Sequence, residues 1–477
     1  MISFFFPNDK TKFILLPFLT GLILFYLIWT SLFSEFLVFI IPISLLLVYF
    51  IFLKPDHYYP FILLMYLVVV GEINPTLRVL VHLLGFTSLS MLLINNKDSF
   101  KNIYETIDIR IKKYLLYFFS IIFISSVFSQ LPQKGFEIIF KELYFFFIVF
   151  SFYLYLKIKG NSFSLIFVLM IAGIVMSLSS IFNLKNFDPT DILLSGSSSF
   201  RTGGLLSNVN ALSGYIVVVF PFFLYFFLRY KSIWLRVVLV VGMIFLSLGV
   251  LATISRSAGL SIIIGIIFFS FFINKKVTFA LVISIILITI LLNLILNSQI
   301  IFSALRLEQG YSQRDLLWQL SIDMFKDNWL LGVGPGLWGE KMFNYSPVLQ
   351  DSFVGYLFYD VNKITEGFNN SHNYYLVFLS DMGIPGLFLA LYLPSIFFSI
   401  AKENLKISKA HNRESYLLNI ALTTVGVSMF IRAFFEGISI ITFGWVAIDL
   451  PFWIVFTLLI LLNYDLKNKI KNTLEES

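Results

Sequence analysis

Windows of about 20 apolar residues recur along the whole chain, and this feature constrains its fold more than any other. A helix of that length crosses the roughly 30 Å hydrocarbon core of a bilayer and satisfies its own backbone hydrogen bonds there. Only 13% of the residues are charged, whereas about 25% are charged in a typical soluble domain. We therefore predict an all-α polytopic membrane protein.

The apolar windows predict about 12–14 transmembrane helices. The first window follows basic residues but precedes no small-residue cleavage site, which favours a retained helix over a signal peptide. The third window is short, and it forms either a span or a re-entrant pair with the fourth. The highest count places the spans at residues 13–33, 36–53, 60–72, 79–94, 114–129, 136–156, 164–183, 212–228, 234–253, 258–273, 277–297, 373–400, 416–436 and 447–463.

The basic residues predict the orientation of these helices. Positive residues favour the cytoplasmic side of a membrane, so both termini are predicted to be cytoplasmic and the one large loop, 298–372, to be external. The net charge of +7 then reflects topology, and we predict no nucleic-acid partner. The chain has no cysteine, which excludes disulfides and thiolate metal sites. Lys and Arg concentrate in the stretches 95–114, 157–160, 229–236, 274–276, 401–413 and the C-terminal tail.

Three arginines lie in the predicted external loops, where Lys and Arg are normally rare. Arg201 is surrounded by Ser and Gly, Arg256 lies in a tight turn, and Arg314 opens an amphipathic segment. The plainer interpretations are a flexible loop for Arg201, contact with lipid phosphate for Arg256, and pairing with Asp315 for Arg314. The guanidinium group is a fork of donors that matches phosphate oxygens. Three such groups on one face therefore predict a diphosphate site.

Further charges lie inside or next to the predicted spans, where charges are rare and typical of functional sites. In one interpretation Lys141, near the outer end of the sixth span, adds a fourth cation to the diphosphate site. In the other it pairs with Glu137, four residues earlier on the same helix. Arg432 and Glu436 repeat this spacing late in the thirteenth span.

His372 stands where the large external loop enters the twelfth span. An imidazole there can accept a proton from a hydroxyl near neutral pH, which predicts a general base. The plainer interpretation is a polar residue at a helix N-terminus. No second His or carboxylate lies at metal-ligand spacing, so no metal is predicted. Three tryptophans of the loop are predicted to be interfacial anchors, with sugar stacking as the alternative for one of them: Trp318, Trp329 and Trp338.

Four stretches together resemble the O-antigen ligase family, which includes lipopolysaccharide O-antigen ligases, O-antigen polymerases and some protein O-oligosaccharyltransferases. The resemblance covers about residues 190–400. It divides the chain into N-terminal helices (1–183), a catalytic region (184–400) and C-terminal helices with a tail (401–477). The stretches are FRTGGLLSNVNALSGY, ATISRSAGL, QRDLLWQLSIDMFKDNWLLGVGPGLW and SHNYYLVFLSDMGIPGLFL.

The resemblance implies a helical fold similar to GT-C glycosyltransferases and an inverting, metal-independent glycan transfer without a cofactor. It implies a multi-pass protein of the bacterial inner membrane, with its active site on the periplasmic face. The donor would be a glycan on undecaprenyl diphosphate, held by Arg201, Arg256 and Arg314, and His372 would activate the acceptor hydroxyl. Supporting roles are predicted for Asn210, Gly334 and Asn373.

Several functions remain open at this point. Ligase and polymerase differ only in the acceptor, which is lipid A-core or another lipid-linked glycan. The single long loop with its His-Asn exit favours the ligase, and transfer to a protein comes third. A transporter for lipid-linked sugars is the competing class, but it would carry polar residues near the midplane in broken helices. A structural scaffold would not need clustered external arginines.

Overall fold

A computed structural model of the chain describes eight stretches of residues. The predicted spans 13–33 and 36–53 lie outside them, as do parts of the predicted loop 298–372. The described residues are 55–68, 75–95, 104–159, 162–183, 201–206, 208–295, 314–345 and 370–475.

Helices account for most of the described residues, and none of those residues forms a strand. Two short 3-10 helices, Gly204–Leu206 and Met342–Tyr345, accompany the α-helices. In chain order the α-helices are α1 (Pro55–Val68), α2 (Pro75–Asn95), α3 (Ile109–Phe128), α4 (Pro132–Lys159), α5 (Ser162–Asn183), α6 (Val209–Arg229), α7 (Ile233–Thr253), α8 (Arg256–Ile273), α9 (Lys275–Ile295), α10 (Arg314–Asp327), α11 (Trp338–Lys341), α12 (Tyr374–His411), α13 (Arg413–Arg432) and α14 (Val446–Glu475).

Nine of the described helices are long and apolar enough to cross a membrane, namely α3 to α8 and α12 to α14. The prediction of an all-α polytopic membrane protein is confirmed. The total number of spans stays a prediction, because the described residues leave out the N-terminal part of the chain.

The helices run beyond the apolar windows that predicted them. The fifth span was predicted to start at residue 114, but α3 begins at Ile109 and is capped by Asp108, whose side chain accepts a hydrogen bond from Arg110 N at 2.8 Å. Similarly, α12 continues to His411, past the predicted end at residue 400. A window records only the residues that suit hydrocarbon, whereas a capped helix continues through polar residues at the membrane surface.

The centre of the bundle is formed by α6 and α14, whose apolar windows are mostly covered by other helices. The helix α6 packs against α5, α7, α8 and α13, and α14 packs against α4, α12 and α13. By contrast, α3, α7 and α8 bury only a third of their windows and present the remainder outward. Helices that are apolar on all sides suit both the centre and the outside of the bundle, because their outer faces can contact lipid.

Ion pairs join the helix ends at one end of the bundle. Arg110, at the start of α3, lies 2.7 Å from Glu403 of α12, and Lys467 of α14 lies 2.9 Å from the same carboxylate. Arg229, at the end of α6, lies 2.7 Å from Glu414 at the start of α13. Predicted basic stretches that are far apart in sequence therefore meet at one end, which we call the basic end.

The long helix α12 is broken at Gly383, where φ is +64° and ψ is −153°. The break exposes backbone groups that the loop between α9 and α12 binds. Val333 N donates to the carbonyl of Ser380 at 2.9 Å, and Gly334 N donates to the carbonyl of Asp381 at 2.9 Å. Gly336 N also donates to the Asp381 carboxylate at 2.8 Å. The glycine-rich turn thus fixes the loop to the helix that begins next to His372.

We predict that Gly332→Ala destabilises the protein. Gly332 has a φ of +68°, and a Cβ there would lie 2.2 Å from the Asp381 carbonyl carbon. The left-handed backbone and the close contact together are expected to lower the free energy of unfolding by about 2 kcal/mol or more. The matched control is Gly259→Ala in α8, where a Cβ would meet nothing within 4 Å. Thermal denaturation in detergent checks this, and equal melting temperatures for the two variants would contradict it.

Candidate active site

Most of the predicted site residues lie at the end of the bundle opposite the basic end. The start of α6, the turn between α7 and α8, the starts of α10 and α12, and the loop from α13 to α14 meet here. Backbone hydrogen bonds fix these segments together. Thr202 N donates to the carbonyl of Ala252 at 3.2 Å, and Tyr374 N donates to the carbonyl of Ala433 at 2.9 Å.

Asn373 holds His372 in place at the start of α12. Its side-chain oxygen accepts hydrogen bonds from Tyr375 N at 3.0 Å and Leu376 N at 3.1 Å, which caps the helix. Its amide nitrogen donates to the carbonyl of Phe434 at 3.0 Å and ties the cap to the loop after α13. His372 itself has a φ of +52°, a left-handed conformation that is uncommon outside glycine. Such conformations persist where the surrounding structure determines them, often at functional sites.

The imidazole of His372 faces Glu436, a fully buried carboxylate in the loop between α13 and α14. His372 Nδ1 lies 2.7 Å from Glu436 Oε1, and Arg314 Nη2 donates to Oε2 at 3.2 Å. Burial alone would raise the pKa of Glu436. The contact with His372 and the positive charges of Arg432 and Arg314 outweigh burial and lower this pKa to about 2. Glu436 is therefore ionised at neutral pH.

The ionised carboxylate determines which nitrogen of His372 carries the proton. A carboxylate without a proton can only accept hydrogen bonds, so Nδ1 must be the donor in the contact with Glu436. In the neutral ring Nε2 is then the basic nitrogen.

Asn210 connects two of the arginines. Arg432 is buried at the end of α13, and its Nη2 donates to the carbonyl of Asn210 at 2.5 Å. Arg201 Nη2 donates to the side-chain oxygen of Asn210 at 3.4 Å, and Arg201 Nε donates to the carbonyl of Thr253 at 2.9 Å. The start of α6 thus lies between Arg201 and Arg432, and Thr253 lies three residues before Arg256.

Arg256 and Arg314 are close enough for their positive charges to repel each other, and Arg432 is also in electrostatic range of Arg314. Arg256 is the first residue of α8 and Arg314 is the first residue of α10. The N-terminus of a helix carries partial positive charge and backbone N–H groups that bind anions. Two cations placed at two such termini form a site suited to a multiply charged anion.

The structure does not bring Lys141 and Gly334 into this cluster. Lys141 Nζ lies 2.6 Å from Glu137 on the exposed surface of α4, as in the plainer interpretation, although its stem contacts Gly444 in the loop after α13. Gly334 has a φ of +117° and binds the carbonyl of Asp381 at the break in α12. Its described contacts position the loop between α9 and α12.

Trp338 corrects one of the sequence-based predictions. Its side chain is completely buried, and its Nε1 donates to Ser321 Oγ at 2.7 Å. It packs with Leu317, Leu320 and Met324 of α10 in a small core of the loop between α9 and α12. The prediction that Trp338 is an interfacial anchor, and the alternative that it stacks on a sugar, are both wrong because other residues of the loop cover the ring.

Sequence reasoning missed the role of Glu436 and of Arg432. Their spacing of four residues was interpreted as a pair on one helix. However, α13 ends at Arg432, so Glu436 lies in a loop and turns towards His372. The charge of Glu436 is the signal in the sequence that could have identified this residue. A carboxylate at the end of an apolar helix costs free energy unless it is paired or has a function.

Comparison with known proteins adds one positive result. Residues 241–391 match the family model described as O-antigen ligase. The match contains Arg256, Arg314 and His372 and ends before Glu436. It supports a function of the O-antigen ligase or polymerase type in general. A search of curated proteins found no match to the chain.

Proposed function

We propose that this chain transfers a glycan from undecaprenyl diphosphate to a hydroxyl group of lipid A-core. The observation that carries the proposal is the 2.7 Å contact of His372 Nδ1 with the buried carboxylate of Glu436, beside Arg314 and Arg432. It supports a positioned base next to a cationic site. Transfer from a lipid diphosphate to a hydroxyl needs these two elements.

In the proposed reaction His372 Nε2 accepts the proton of the acceptor hydroxyl as its oxygen attacks the anomeric carbon of the donor sugar. The bond between that carbon and the diphosphate oxygen breaks, and the electron pair leaves with the diphosphate. Glu436 stabilises the imidazolium that forms, and the ring later releases its proton to water. A single displacement of this kind inverts the anomeric centre, and it requires no metal and no cofactor.

The arginines act on the leaving group in this proposal. The diphosphate gains negative charge as the sugar–oxygen bond breaks, and fixed cations stabilise that charge without having to reorganise. Arg256 and Arg314 supply guanidinium groups at two helix N-termini. Arg201 lies next to the turn between α7 and α8, because its Nε donates to the carbonyl of Thr253. A bound diphosphate would also replace the mutual repulsion of Arg256 and Arg314 by attraction.

We further propose that the site faces the periplasm in the bacterial inner membrane. The basic end, marked by Arg110, Arg229 and Lys467, lies opposite the site, and positive residues favour the cytoplasmic side. The glycan would then extend into the periplasm, and the polyprenyl tail would lie among the helices.

The test is a transfer assay with the purified full-length chain, undecaprenyl-diphosphate glycan and lipid A-core. Glycan attached to the core would support the ligase. Longer lipid-linked chains without transfer to the core would identify a polymerase instead. If wild-type protein binds the donor lipid but makes neither product, the transferase proposal fails and a transporter for lipid-linked sugars takes its place.

We predict that Arg314→Gln and Arg256→Gln each weaken donor binding. A hydrogen bond to a charged group contributes about 1.5–3 kcal/mol, so the donor Kd is expected to rise roughly tenfold to hundredfold. Lys141→Gln is the matched control, because its ammonium is exposed and already paired with Glu137. Binding of undecaprenyl diphosphate, measured as a function of salt, checks this. An equal loss of affinity in the Lys141 variant would contradict the assignment.

A further inference from the structure

A polar pocket of about 290 Å³ lies away from the arginines, where the membrane helices meet the loop between α9 and α12. One wall is the turn from α3 to α4, which contributes Phe128, Ser129 and Gln130. The other wall is formed by the end of α10, the glycine-rich turn and the 3-10 helix that follows α11. Its volume is near the lower limit of small-molecule sites, roughly 300–1,000 Å³.

The two walls are held together by direct contacts. Lys341 is 8% exposed, and its Nζ donates to the side-chain oxygen of Gln130 across the pocket. Ser125 Oγ donates to the carbonyl of Leu331 at 2.7 Å. Lys134 forms an ion pair with Glu340 beside them. These contacts fix the two walls relative to each other, which lowers the entropic cost of binding a ligand between them.

The lining groups are those that bind sugars. Gln130 and Asn344 supply amide groups, and an amide can both donate to and accept from neighbouring hydroxyls. The amide nitrogen of Asn328 donates to the Met324 carbonyl and to the Tyr345 hydroxyl, so Asn328 offers its side-chain oxygen as an acceptor. Tyr345 supplies a ring face for the apolar side of a pyranose. Its hydroxyl accepts a hydrogen bond from Asn328 Nδ2 at 3.0 Å and interacts with the Asp327 carboxylate, which orients this wall.

The charge of the pocket distinguishes it from the arginine site. Among the described residues, its lining contains one ammonium, Lys341, and one carboxylate, Asp327. A diphosphate would be repelled by that carboxylate, whereas a hydroxyl-rich ligand without strong net charge can bond to both groups. The paired amides and the balanced charge favour a glycan.

The pocket is also at a suitable distance from the proposed base. Gly332 and Val333 line it, and Val333 N binds the carbonyl of Ser380 in α12. His372 lies just before α12 begins at Tyr374, and a helical rise of about 1.5 Å per residue puts Ser380 roughly 9 Å further along the axis than Tyr374. A sugar in the pocket would then lie beyond the sugar that reacts at His372, in the same glycan.

We infer that this pocket is a glycan subsite, which binds a sugar residue one or more units away from the reacting centre. The inference rests on the proposed glycan transfer and adds to it a separate recognition element. The glycan belongs either to the donor or to the acceptor. Both sources present the same chemistry, so the experiment must distinguish them.

The decisive variant is Asn344→Trp, which fills the pocket from an exposed position. Gln130→Ala, on the opposite wall, removes one amide without filling the space. The matched control is Gln319→Trp, on an exposed position of α10 outside the pocket lining. Binding to the full-length protein is measured by saturation-transfer NMR with two soluble probes: the oligosaccharide released from the donor lipid and the delipidated core oligosaccharide. Steady-state transfer is measured alongside with each substrate varied.

Both pocket variants are expected to weaken the binding of one probe, and to raise the KM of the corresponding substrate, by about tenfold or more. The control should bind as wild type does, and kcat should change little in all three. The affected probe identifies the source of the glycan. Unchanged binding of both probes in both pocket variants overturns the subsite, whether or not transfer occurs. Binding lost in the variants, with no transfer by wild type, would keep the subsite and reject the proposed transferase.

Discussion

Replacing His372 by asparagine is expected to lower kcat by roughly 10²–10⁴-fold, the usual contribution of a positioned general base. Asparagine tolerates a positive φ better than most residues, so it suits the backbone of this position, where φ is +52°. Its amide N–H can still donate to Glu436, but it has no basic nitrogen to accept the acceptor proton. The loss should therefore be one of catalysis and not of folding.

The measurement is steady-state transfer with both substrates varied, together with a melting curve and the donor Kd. Donor affinity should stay within about twofold of wild type, because the lost interaction belongs to the proton transfer alone. A kcat within about tenfold of wild type in the folded variant would rule out His372 as the base. A rise in donor Kd with unchanged kcat would instead place His372 in donor binding.

Much of the helical fold could be predicted from the sequence, because a bilayer demands long apolar helices and the chain shows them directly. The break in α12 could not be predicted in the same way. Gly383 and Pro385 are residue types that favour a break, but the sequence does not show that Ile384 N donates to the carbonyl of Trp329 there at 3.0 Å. That contact joins segments that are far apart in sequence.

The candidate site, like the fold, could be predicted only in part. Arg201, Arg256, Arg314 and His372 could be selected because Lys, Arg and His are few in the predicted external loops of this apolar chain, and the structure brings the four residues to one end of the bundle. The partner of His372 could not be selected. Glu436 contacts His372 because hydrogen bonds from Asn373 and to Ala433 join the start of α12 to the loop after α13. The spacing of residues in the sequence does not indicate this contact.

Glu436→Gln is the second change with a large expected effect. The amide keeps the shape of the side chain but removes the charge that faces His372, Arg314 and the buried Arg432. Breaking a buried charge pair in this way costs about 3–5 kcal/mol of stability. It also leaves the tautomer of His372 undetermined and its imidazolium unstabilised, so kcat should fall roughly 10²-fold or more. Glu436→Asp keeps the charge and should retain more of both properties.

The pH dependence separates the charge of Glu436 from its packing. The pKa of Glu436 in the folded protein is about 2, below the value of 4.5 that serves as the unfolded reference. The ionised carboxylate therefore stabilises the fold fully above pH 4.5, and this stabilisation is lost as the pH falls towards 2. Melting temperatures of wild type and Glu436→Gln should differ most at neutral pH and converge in acid. A constant difference across this range would mean that Glu436 acts through packing alone, and a folded variant with wild-type kcat would remove it from the proposed mechanism.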